Sequence, residues 1–157
     1  MKYTHFIYYT SITKYTLNQL HSHYSFFNYN SKYDLYRYNS KKRKQYKKLV
    51  NYQYYVNDHH IIPKQFRDHK LIQNINFDIS SSRNIKIMPT LQGIQYFNLD
   101  DNVLTHYKGH LKYNKFVKDE LNEILLLKDI DEQRYNFILF FWFLELNLDF
   151  KGTIPWN

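Results

Sequence analysis

From about residue 105 onward the apolar positions fall at helical spacing. Tyr113, Phe116, Val117, Leu121, Ile124 and Leu125 recur at intervals of three and four, which puts them on one face of an amphipathic helix. Thr105 is a suitable N-cap, so this helix is predicted to open there and to carry His106 and His110 in its first turns. A last helix is predicted from about Ile130 to Leu148. Its middle, FILFFWFL, is apolar all round, as a buried helix requires, and Gly152 and Pro155 lie just past its end. Upstream the period changes. Asn51 to Asn57 is aromatic and β-branched and reads as a strand ending just before His59 and His60. Asn84 to Met88 alternates with period two and is closed by Pro89, which makes a second strand. Pro63 interrupts regular pairing between them, Lys64 to Gln73 fits a short helix, and Asn76 to Asn84 is a turn-rich connection. In residues 1–40 only Lys14 to Leu20 has the pattern of a helix start, and no internal repeat is visible.

Composition narrows the class. The 157 residues are 43% hydrophobic and 20% aromatic, enough for one domain with a core. There is no alanine, and Asn, Lys, Tyr, Ile and Phe dominate, all with AT-rich codons. This bias reports an AT-rich microbial or viral genome rather than a fold, and it lowers the weight of any argument from Tyr or Asn abundance. The absence of cysteine excludes a disulfide scaffold and cysteine-zinc sites. Met1 to Thr10 lacks the pattern of a signal peptide, and the longest apolar run, Phe137 to Leu144, is far short of the ~20 residues that span a bilayer. The expectation is a soluble, intracellular protein of cytoplasm, nucleus or virion, without a membrane partner.

The net charge of +8 is unevenly placed. Residues 1–50 hold ten basic residues and one acidic residue, Asp34, whereas residues 51–157 hold twelve basic and thirteen acidic. Such asymmetry favours an anionic partner. The densest run supplies Lys41, Lys42, Arg43, Lys44, Lys47 and Lys48 as candidate phosphate contacts. Tyr33, Tyr36, Tyr38 and Tyr46 interleave with it, and aromatic faces stack on unpaired bases. A solvated helix face or a nuclear-import signal fits the same run.

Five of the eight histidines fall between residues 59 and 110, and four of them, His59, His60, His106 and His110, form pairs. His59-His60 alone is a weak signal. His106 and His110, if on a helix, lie on one face about 6 Å apart, so both imidazoles can reach one ion at about 2 Å. The conjunction carries more: a strand ending in His-His, a turn-rich loop delivering Asn84 to a second strand, then a helix opening with His-x-x-x-His. His69 has no motif partner and is read as structural. His21 and His23 have the spacing of a metal pair on a strand but carry little weight.

At these residues the chain resembles the HNH/endonuclease VII superfamily, and most of all its AHH-type nucleases. The matching stretches are His59-His60-Ile61-Ile62-Pro63, Phe77-Asp78-Ile79 through Asn84 to Met88-Pro89, and His106-Tyr107-Lys108-Gly109-His110 with Tyr113-Asn114 and the helix through Leu121. The alanine that names the subgroup is Asp58 here, and Gly109 stands directly before the second late histidine. The resemblance, which runs from roughly Val56 to Leu125, implies an α+β fold with a small ββα-metal core, placed over 51–126; the apolar pattern adds a C-terminal helix over 127–157 packed on it, and composition marks 1–50 as a basic, tyrosine-rich extension. The resemblance also implies an endonuclease that hydrolyses phosphodiester bonds, with His59, His106 and His110 holding one divalent ion, His60 as general base and Asn84 fixing the loop that bears it. Three imidazoles suit zinc by affinity, while magnesium serves when phosphate oxygens and water complete the shell, so Mg²⁺ and Zn²⁺ both stay open. The implied substrate is nucleic acid, DNA before RNA, and a toxin-type effector of this kind needs an inhibitor or immunity partner. The alternative is a nucleic-acid-binding or structural (virion or packaging) protein with a nuclease-derived fold.

Overall fold

A computed structural model describes residues 26–27, 31–107 and 109–157. The helix start at 14–20 and the pair His21 and His23 lie outside the described residues. The elements run α1 (Lys41–Leu49), β1 (Val56–His60), α2 (Lys70–Asn74), β2 (Ile85–Pro89), α3 (Leu91–Tyr96), α4 (Leu111–Leu125) and α5 (Ile130–Asn147). Single 3₁₀ turns sit at Ser31–Tyr33, Lys64–Phe66 and Ser82–Asn84. The fold is α+β: one two-stranded antiparallel sheet, with β1 paired to β2, among helices.

The first strand is displaced from its predicted place. It starts at Val56 and contains both histidines, in register from Val56↔Pro89 to His60↔Ile85. Residues 51–55 are turns instead. Asn51 takes a left-handed φ of 55°, a conformation Asn tolerates better than most residues. The amides of Tyr52, Tyr55 and Val56 then bond back to Lys47 and Tyr52 carbonyls rather than across a sheet. The aromatic residues that suggested a strand pack sideways: Tyr55 stacks on Tyr96 at 3.8 Å, and Tyr52 meets Phe97 at 5.0 Å. Gly93 of α3 is needed here, because a Cβ would lie 2.0 Å from the Tyr55 carbonyl oxygen. Thr90 caps α3 and its N–H donates to that same carbonyl, so α3 clamps the entrance to the hairpin.

The helix after Thr105 also starts late, at Leu111. Residues 103–106 are tied to other segments instead of forming a helical turn: Val103 bridges Phe150, the Leu104 N–H donates to the Asp149 carbonyl, and the His106 N–H donates to the Pro89 carbonyl. His106 and His110 are therefore not on one helical face. His106 extends the edge of the hairpin and His110 is the residue that precedes α4.

α5 matches its pattern. Asp129 caps it by accepting from the amides of Asp131 and Glu132, and seven apolar residues between Phe137 and Leu144 are buried. These pack with Tyr113, Val117 and Leu121 of α4 and with Ile61, Ile62, Leu71, Ile72, Ile75 and Phe77 into one core. The core thus lies directly beneath the residues that follow His60. Among the described residues, no helix is long and apolar enough to cross a membrane.

Candidate metal centre

Successive side chains of a strand point to opposite faces, so β1 sends His59 and His60 in opposite directions. His59 turns toward α4 and is 3% exposed. There its ring lies 5.4 Å from His106 and 5.2 Å from His110, and those two are 4.9 Å apart. One nitrogen from each of the three falls within 4.8 Å of the others. Ligands at ~2.1 Å from one ion in tetrahedral geometry lie about 3.4 Å apart, so the nitrogens share an ion once the rings close by up to roughly 1.4 Å.

The chemistry of these nitrogens fits an ion. His59 Nε2 and His110 Nδ1 are buried with no hydrogen-bond partner, which is costly for a polar atom unless something binds it. Burial, and then the neighbouring imidazoles His106 and His110, push the His59 pKa down to about 2. Burial and His106 push His110 down to about 4, and burial lowers His106. All three are neutral at pH 7 and keep their lone pairs for a cation. The sign for stability follows. The unfolded chain protonates these groups near 6.5, whereas in the folded chain His110 does so only near 4 and His59 near 2, with His106 also lowered. Stability of the metal-free protein is expected to be flat above pH 7 and to fall as pH drops from 6.5 toward 4. Urea midpoints in chelator at pH 7.5 and pH 5.0 check this, and equal midpoints would contradict it.

Trp156 closes one side of the triad. Its ring stacks on His110 at 4.2 Å and 28°, and lies 5.2 Å from His59 and 5.3 Å from Tyr113. The segment carrying it is anchored by the Val103–Phe150 bridge and the Lys151 N–H to Asn102 carbonyl bond of 2.8 Å. No pattern in the sequence links Trp156 to the histidines, since it lies far along the chain and outside any motif.

His60, on the other face of β1, has a different environment. Tyr38 meets its ring edge to face at 4.5 Å, and Lys64 lies over the Tyr38 ring at 5.6 Å. Its Nε2 has no hydrogen-bond partner. Burial first, then the charge of Lys64, bring its pKa down to about 4, against an opposing pull from Asp58. The backbone just beyond it is held by Asn84, which is fully buried. Asn84 Oδ1 accepts from the Ile62 N–H at 2.8 Å, and its Nδ2 donates to the carbonyls of Ile62 and Ile79. Its own carbonyl accepts from the Ile61 N–H at 2.9 Å, and the Tyr113 hydroxyl donates to the Ile61 carbonyl. His69 is a helix cap: Nδ1 accepts from the Leu71 N–H and Nε2 meets Asn122 Oδ1.

The basic run forms α1, capped by Ser40. Lys41, Lys42, Lys44 and Lys48 are exposed. Arg43 is 7% exposed, and its guanidinium donates to both carboxylate oxygens of Asp58, at 2.8 and 3.0 Å. Lys47 stands 3.5 Å from the same carboxylate. Burial raises the Asp58 pKa, but the Arg43 hydrogen bonds and charge, with Lys47, outweigh it and hold the carboxyl below its ordinary value. Arg43 is thus committed to pinning α1 against the strand that carries the histidines.

Residues 40–137 match the model of a protein family described as a nuclease family of the HNH/ENDO VII superfamily with conserved AHH. No curated protein and no solved structure matches the chain.

Proposed function

The chain belongs to the AHH nuclease family of the HNH/ENDO VII superfamily, and from that premise we propose that it is an endonuclease that cleaves nucleic acid with one divalent ion and a histidine general base. The observation that carries this reading is the convergence of His59, His106 and His110, one nitrogen of each within 4.8 Å of the others, with His59 Nε2 and His110 Nδ1 buried and unpartnered. These three would hold the ion, which when bound supplies positive charge to the scissile phosphate and the departing oxygen. Neutral ligands leave that charge undiminished, and Mg²⁺ or Zn²⁺ can serve.

His60 takes the proton of the attacking water. The ring is neutral at pH 7, and a phosphate placed beside it raises its basicity by opposing the charge of Lys64. Asn84 and Tyr113 keep the backbone after His60 in place, and Tyr38 fixes the imidazole plane. Trp156 does the same for His110 and keeps water from one side of the ion. In domain terms, 51–126 carries the catalytic unit, 127–157 braces it and 1–50 adds the grip. Plasmid DNA and RNA incubated with Mg²⁺, Mn²⁺, Zn²⁺, Ni²⁺ or EDTA test the reading. Cutting with an added ion and none in EDTA is expected, and no cutting under any condition rejects it.

Two further outcomes are expected. An ion that binds only the folded chain stabilises it by about 2.7 kcal/mol at a hundredfold excess over Kd. For a chain of this length that raises Tm by roughly 5–10 °C. His110→Ala should abolish the shift, and a shift that survives would place the ion elsewhere. The exposed lysines of α1 supply phosphate contacts. Replacing Lys41, Lys42, Lys44 and Lys48 by Gln leaves the Asp58 pairs intact and should reduce the slope of log K against log salt by up to about 3.6 on duplex DNA. An unchanged slope would remove α1 from the interface.

A further inference from the structure

Of the four tyrosines interleaved with the basic run, the structure brings two together and separates the others. Tyr38 is used against His60, and Tyr33 stands 75% exposed. Tyr36 and Tyr46 meet edge to face, ring centroids 6.4 Å apart, and with Arg43, Lys47 and Ile87 they line a cavity of about 230 Å³. That is smaller than the ~300–1,000 Å³ of sites for drug-sized ligands and suits one flat ring system.

Three observations say what fits there. The walls are aromatic and still available: Tyr36 is 48% exposed, Tyr46 44% and Ile87 41%. Edge-to-face rings leave a π face open to a third ring. The floor is fixed, because Arg43 donates at once to the Tyr36 carbonyl and to Asp58, which joins the loop before α1 to β1. Asp58 stands where the family has its alanine, so this chain's own departure from the motif builds the floor. The position is close to the cleavage chemistry. Ile87 is the register partner of Asp58, and Asp58 lies two residues before His60 on the same face of β1, about 7 Å along the strand. Positive charge surrounds the opening, from Lys47 at the wall and the exposed lysines of the same helix.

We propose that this cavity is a subsite for an unpaired nucleobase next to the scissile phosphate, so that the preferred substrate is single-stranded or locally unpaired nucleic acid. The inference rests on the nuclease reading for its setting. A base inside a duplex has both faces stacked and cannot enter the cavity, whereas a splayed base can stack on Tyr36 or Tyr46 while Lys47 meets its phosphate.

The test is fluorescence anisotropy in EDTA, so that no strand is cut. Labelled single-stranded DNA, single-stranded RNA and duplex DNA of one sequence are titrated with the full chain and with Tyr36→Ala, Tyr46→Ala and Tyr46→Phe. Each alanine variant should bind single strands roughly 5- to 100-fold more weakly, with duplex affinity and the salt slope unchanged. Tyr46→Phe should keep most of the affinity. The two single-stranded arms tell whether the sugar matters as well as the base. Independently of any variant, 2-aminopurine placed along the strand should change emission at one position on binding. Single-strand affinity indifferent to both alanine substitutions, or an equal loss on duplex, overturns the proposal. Tyrosine-dependent single-strand binding without cleavage under any metal would overturn the nuclease reading and leave the subsite standing. Cleavage with tyrosine-independent binding would do the reverse.

Discussion

His60→Ala is expected to lower metal-dependent cleavage about 100- to 10,000-fold while leaving ion binding and the fold in place. The expectation comes from the division of labour across β1. His60 points away from the triad formed by His59, His106 and His110, so its removal takes away no ligand. Among the described residues its Nε2 has no hydrogen-bond partner, so no bond to that atom is lost either. What is lost is the proton acceptor. The check pairs two measurements on one preparation: the single-turnover cleavage rate, and the rise in Tm on adding the ion. A collapsed rate with an intact Tm rise assigns the base. Wild-type cleavage in His60→Ala would sink the assignment, and loss of both readouts would show that His60 supports the ion site instead.

Much of the fold was legible because its pieces lie on local patterns. Period-two alternation marked β2, the three-and-four spacing marked α4, and an apolar run marked α5, each fixed by which face must be buried. What escaped was decided by partners distant in the chain. The late start of α4 depends on Pro89, Asp149 and Phe150 capturing the backbone of 103–106, and none of these is near Thr105 in sequence. The convergence of His106 and His110 therefore survives for a reason other than helical spacing. Arg43 reads like its neighbours within KKRKQYKK, and only Asp58 explains why it alone is buried. Asp58 gave no signal either, because the predicted strand ended at Asn57 and only the structure places Asp58 inside β1. Trp156 left no signal, since stacking on His110 is a property of how the chain returns after α5.

Asn84→Ala is expected to destabilise the protein by about 3–5 kcal/mol, a large share of the ~5–15 kcal/mol by which domains are stable. Asn84 is fully buried and its amide satisfies three backbone groups at once: the Ile62 N–H, the Ile62 carbonyl and the Ile79 carbonyl. Truncation leaves all three without partners in the core, where each unsatisfied group costs about 1–3 kcal/mol. Asp at this position does no better, because a carboxylate keeps the acceptor for Ile62 but turns repulsive oxygens toward two carbonyls. Urea unfolding should show both variants well below the wild type, and a change under about 1 kcal/mol for Asn84→Ala would contradict the argument. The functional half is separable. These bonds hold the chain immediately after His60, so Asn84→Ala assayed cold enough to remain folded should still cleave with reduced kcat and little change in KM, because substrate contacts lie elsewhere. Folded Asn84→Ala that cleaves at the wild-type rate would make Asn84 a structural residue alone, with His60 positioned instead by Tyr38 and the β1–β2 register.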